Sequence, residues 1–124
     1  MGIELLDIRR QAIENANFRK VLDTGSNTQI VVMRIEVGDD IGSETHPNNE
    51  QILINVSGKG KAIINGIERG FNENDLALIR PGVKHNFINT GETPLKIITI
   101  YSPPNHPKGT IHKTKTEAQE AENK

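Results

Sequence analysis

Hydrophobic residues in this chain come in short runs of Ile, Val and Leu, each closed by glycine, proline, asparagine or aspartate. β-Branched side chains in runs of that length suit strands rather than helices. Residues 29–37 (QIVVMRIEV) form the clearest strand, stopped by Gly38-Asp39-Asp40. Further strands are predicted at 18–23, 51–56, 61–65, 76–79, 85–89 and 95–101. Thr24-Gly25-Ser26-Asn27 and Ser57-Gly58-Lys59-Gly60 mark turns between them. Asn65-Gly66, between Ile64 and Ile67, is a hairpin signal, because both central residues of that tight turn favour positive φ. Residues 42–49 are polar and are predicted to form a loop. Residues 7–17 carry Ile8, Ala12 and Ile13 on one side and predict a short N-terminal helix.

After Tyr101 the pattern changes. Residues 102–112 hold three prolines and are expected to run extended over the surface. Residues 113–124 are polar, charged and expected to fray, with a short helix at 116–122. At 124 residues the chain reads as one domain: residues 1–28 as helix and first strand, 29–102 as the β body, 103–124 as the tail. Many short strands with turns between them indicate an all-β sandwich or barrel rather than βαβ units. No repeat of about 20–50 residues points to a solenoid or propeller.

Charge and composition narrow the function classes. Fifteen basic and 16 acidic residues leave a net charge of −1, without the basic footprint of a nucleic-acid binder. Cysteine is absent, which excludes disulfides, thiolate metal sites and cysteine nucleophiles. No apolar stretch approaches the ~20 residues that cross a bilayer, and residues 1–10 lack the apolar core of a signal peptide. The expectation is a soluble, cytoplasmic protein.

Chemistry concentrates in two polar clusters. Glu44, His46, Gln51 and His85 offer one carboxylate, two imidazoles and one amide oxygen to a single divalent ion. Glu44 and His46 are one residue apart, so in extended backbone their side chains point the same way. Two His plus one carboxylate suits Fe, and Mn, Co, Ni or Zn would also fit. Glu50 competes with Gln51, and strand alternation allows only one of the two to face the ion.

The two clusters resemble the paired motifs of the cupins. The first reads Gly38-x5-Glu44-x-His46-x4-Gln51-x6-Gly58, and the second Arg80-Pro81-Gly82-x2-His85-x3-Asn89. The resemblance implies a double-stranded β-helix, the cupin or jelly-roll barrel, and a metal held by Glu44, His46, Gln51 and His85. Six residues between Gln51 and Gly58 match the motif and favour Gln51 over Glu50. In this chain Glu44 replaces the motif's first His and Gln51 its Glu. The ligand charge stays at −1 while the carboxylate moves across the site. Arg80 stands where the family has Pro, and is a candidate to hold a substrate carboxylate or phosphate. The resemblance also implies a homodimer.

Isolated from these motifs, each residue has a plainer role. A lone His is ordinarily a core or surface residue, and His106 and His112 are expected to anchor the tail by hydrogen bonds. Gly58-Lys59-Gly60-Lys61 lacks the pattern and following helix of a phosphate loop. Two functions from different classes remain. One is a metal-dependent enzyme acting on a small polar or sugar-like molecule, by isomerase, dioxygenase, decarboxylase or lyase chemistry. Tyr101 or Glu50 would be its general base if placed near the metal. The other is a non-catalytic barrel that binds or senses a small molecule.

Overall fold

The computed structural model describes residues 5–122. Its elements, in chain order, are α1 (Ile8–Glu14), β1 (Arg19–Thr24), β2 (Gln29–Ile35), β3 (Glu50–Ser57), β4 (Gly60–Ile64), β5 (Ile67–Phe71), β6 (Leu76–Ile79), β7 (His85–Asn89), β8 (Leu95–Ser102), β9 (Ile111–His112) and α2 (Lys115–Glu122). The strands pair antiparallel in two sheets, ordered β6-β3-β8-β2-β1-β9 and β5-β4-β7. The sheets face each other as the double-stranded β-helix that the motif spacing implies.

Alternation decides which side chains line the interior. Val31, Met33 and Ile35 of β2, Leu53 of β3, Phe87 of β7 and Leu95 and Ile97 of β8 are buried together as the main core. The opposite face of the larger sheet carries Val32, Ile54, Ile98 and Ile100, and α1 covers part of it through Ile8 and Ala12. Asp7 caps α1 by accepting a hydrogen bond from the Arg10 amide. The helix ends at Glu14 rather than continuing to residue 17. The Asn15 side-chain oxygen takes the Asn17 amide instead, which turns the chain into β1.

Two turns behave as their residues dictate. Asn65 and Gly66 both take positive φ, at 52° and 79°, and join β4 to β5. Gly58 sits at φ +101°, where a Cβ would lie 2.9 Å from the Pro94 carbonyl oxygen. Only glycine lets β3 turn so close to β8.

Two regions differ from the sequence expectation. The polar segment 42–49, together with the turn residues 38–41 before it, is no free loop. It docks along β7 through Ile41 N to Phe87 O and through isolated bridges that pair Asp40 with Ile88 and Glu44 with His85. The tail is built into the barrel rather than laid over it. The Gln29 side chain, fully buried, accepts from the Asn105 and His106 amides and donates to the His106 carbonyl. β9 extends the large sheet beside β1. α2 packs by the buried Ala118, and its Lys115 bridges Asp39 and Asp40. Among the described residues, no helix is long and apolar enough to cross a membrane.

Candidate metal centre

Strand register brings the two polar clusters together. Glu44 and His85 are direct antiparallel partners, each donating its amide to the other's carbonyl at 2.9 Å. His46 stays in line because its carbonyl accepts from the Gly82 amide of the second motif, at 2.9 Å. The Glu44 Oε1 to His46 Nε2 distance is 3.7 Å, and ligand atoms of Glu44, His46 and His85 all lie within 4.8 Å of one another. Gln51 opens the inward row of β3, where it pairs with Tyr101 of β8 on one side and Ile79 of β6 on the other. Glu50 points outward and is exposed.

The hydrogen bonds orient the donors. His85 Nδ1 sits 2.9 Å from the Val83 carbonyl, which can only accept, so Nδ1 carries the proton and Nε2 keeps its lone pair. Gln51 donates its amide nitrogen to Thr99 Oγ1 at 2.9 Å, which leaves Oε1 free. Among the described residues, six buried side-chain nitrogen and oxygen atoms lack a partner. Four are Glu44 Oε1, His46 Nε2, Gln51 Oε1 and His85 Nε2; the others are Arg19 Nε and Asn55 Oδ1. Three of these open atoms, on Glu44, His46 and His85, converge as a divalent cation requires. Gln51 offers an amide oxygen from the strand position beside Tyr101, whose ring neighbours His46. Carboxylate, imidazole and amide together suit a first-row metal.

Burial pushes the Glu44 carboxyl up, but the adjoining His46, then Arg19 and His85, outweigh it and hold its pKa below the usual 4.5. Burial also lowers His85, against the opposing pull of the Val83 carbonyl and Glu44. Both residues therefore favour their metal-binding forms at neutral pH. Tyr101 is 1% exposed, and its ring lies edge-on to His46 at 5.7 Å and to His106 at 5.2 Å. Burial, reinforced by the Glu44 charge, raises its phenol far above neutral pH, so it stays protonated. His106 is pushed down to about 4 by burial and by Arg19, and is neutral.

A family model described as a cupin domain matches residues 31–101. This chain is a cupin. The cupin is 42% identical over 125 aligned positions to YrkC of Bacillus subtilis (strain 168), covering 95% of this chain and 67% of YrkC. It is 32% identical over 117 positions to protein L612 of Acanthamoeba polyphaga mimivirus, covering 88% of this chain and 71% of that one. A Bacillus halodurans protein of known crystal structure superposes with a TM-score of 0.93 at 36% identity, over 94% of the cupin and 93% of that chain.

Arg80, singled out in the sequence, is exposed just beyond β6, and its carbonyl accepts from the Val83 amide. Another arginine lies inside the barrel. Arg19, at the start of β1, is 2% exposed, and its charge acts on Glu44, Tyr101, His106 and His112. Sequence reasoning passed over it. The available signal was its spacing from Val21, which places both side chains on the inward face.

Proposed function

We propose that this cupin is a metal-dependent enzyme acting on a small polar molecule, with Glu44, His46, Gln51 and His85 as ligands to one divalent cation. The four buried donor atoms without partners carry this reading. A bound Fe, Mn, Ni, Co or Zn ion would supply Lewis-acid polarisation of a substrate oxygen. Tyr101, held protonated, would donate a hydrogen bond beside it. Glu44 also lines a cavity of about 250 Å³ beneath α2, the route by which a small molecule would approach the cluster.

The test is metal content by mass spectrometry on protein purified without an affinity tag, beside His85→Ala. The expected result is close to one ion per chain in the wild type and a loss of most of it in the variant. A wild type that stays empty after exposure to each metal would overturn the reading. One observation favours a binding or sensing barrel instead: Tyr101 and His106 both titrate far from neutral pH and make poor general bases. Metal-dependent retention of small molecules without turnover would identify that alternative.

We also propose that the cupin pairs with a second copy across β6. Leu76 and Leu78 are 59% and 46% exposed on this edge strand and adjoin Ile54 and Ile52 of β3. A bare edge beside an apolar strip is the kind of surface that soluble proteins cover.

A further inference from the structure

The inward row of β8 runs Leu95, Ile97, Thr99 and Tyr101, and all four are buried. Thr99 is wholly enclosed, at a position that valine would fill equally well by shape. Its hydroxyl therefore needs a polar partner to offset the cost of burial. That partner is Gln51 Nε2, 2.9 Å away on β3. Gln51 sits opposite Tyr101 in the register and Thr99 opposite Leu53, so the bond runs diagonally between the two inward rows. It leaves the Gln51 oxygen as the end without a partner.

An amide has two unlike ends. Its carbonyl oxygen can ligate a cation, whereas its N–H2 group offers only donors. The family motif has Glu at this position, whose two oxygens are equivalent and need no sorting. Gln51 does need it. The open acceptors of Glu44, His46 and His85 would otherwise draw its N–H2 toward themselves in the metal-free protein. We propose that Thr99 is a positioning residue, whose hydroxyl holds the Gln51 nitrogen away from the cluster and keeps Oε1 for the metal. The Tyr101 phenol, two residues along the row, takes a hydrogen bond from Thr99, which leaves the Thr99 oxygen to accept from Gln51. The branched Thr99 side chain is stiff at χ1, so this acceptor stays in place. Gln51 and Thr99 are thus a matched pair on neighbouring strands. The inference rests on the proposed metal centre for the use of Oε1, and not for the orientation of the amide.

The test compares Thr99→Val, which removes the hydroxyl and keeps the shape, with Thr99→Ser, which keeps the hydroxyl. Mn(II) is the probe, titrated into metal-free protein by calorimetry. Thr99→Val should weaken Mn(II) by about 10–100-fold, the range for losing a group that orients a metal ligand, and Thr99→Ser should restore it. In a Gln51→Glu background Thr99→Val should cost much less, since either carboxylate oxygen can ligate. A purely structural role for Thr99 would weaken Mn(II) equally in both backgrounds. That result overturns the proposal, as does an equal loss in Thr99→Ser. Metal-free wild type gives a second readout. The Gln51 side-chain amide protons, assigned by their absence in Gln51→Glu, should show nuclear Overhauser contacts to the Thr99 methyl. Contacts to the His46 or His85 ring protons instead would overturn the proposal, and this arm decides the matter if Thr99→Val does not fold. A wild type that binds no Mn(II) yet keeps the Thr99 contacts would sink the metal reading and leave the amide orientation standing. Mn(II) binding that Thr99→Val leaves unchanged would do the reverse.

Discussion

At the scale of single residues, leaving a buried polar atom unpaired costs about 1–3 kcal/mol. Three such atoms within 4.8 Å of one another, on Glu44, His46 and His85, with the open Gln51 oxygen as a fourth, are a large liability for a chain of this size unless something occupies the space between them. Gln51 is the informative member, because an amide oxygen is a weaker ligand than the carboxylate that the family motif places there. Gln51→Glu should bind Mn(II) more tightly than the wild type. The metal-free variant should be less stable by about 1–3 kcal/mol, because a second buried carboxyl near Glu44 disfavours ionisation of both. Metal titration with urea unfolding of the metal-free protein checks both halves. The convergence of Glu44, His46 and His85 was legible in the sequence because each sits at a fixed count from a turn glycine or proline. Arg19 was not, because its importance comes from a distant strand, a segment and a helix closing around it.

At the scale of elements, runs of β-branched residues between turn signals located seven of the nine described strands to within a residue or two; β5 was implied only as the return arm of the Asn65-Gly66 hairpin, and β9 fell in the tail. The polar segment 42–49, with the turn before it, and the tail were harder to read. Neither has a hydrophobic period of its own, and each is ordered by hydrogen bonds to distant partners, β7 in one case and Gln29 in the other. α2 shows how little apolar surface such docking uses, since Ala118 is its one buried side chain. Ala118→Leu should overpack this contact at a cost of about 1–3 kcal/mol and release the helix while the barrel stays folded. Limited proteolysis would then cut near residue 114 with the near-UV spectrum of the core unchanged.

For the whole molecule, pH and association are the controlling variables. His106 has a folded pKa of about 4 against an ordinary 6.5, so the unfolded chain takes up a proton first as pH falls. The stability tied to this residue is complete above 6.5 and drains away between 6.5 and 4, by on the order of 1–3 kcal/mol. His85, lowered in the same direction, adds to the loss. His106→Gln should flatten the melting temperature across that window, as followed by calorimetry at several pH values. Sedimentation tests the proposed pairing: the wild type should run as a dimer at micromolar concentration and Leu78→Glu as a monomer. A monomeric wild type would remove the pairing from consideration.

The mutual hydrogen bonds between Glu44 and His85 have one more consequence. The two side chains that contribute a carboxylate and an imidazole are hung from amide protons locked in the same small ring. Anything that draws the side chains together also holds that ring shut, so exchange of these two protons with solvent becomes a clock for occupancy of the site. The centre can then be watched filling through the backbone alone, in a protein with no tryptophan to report on it.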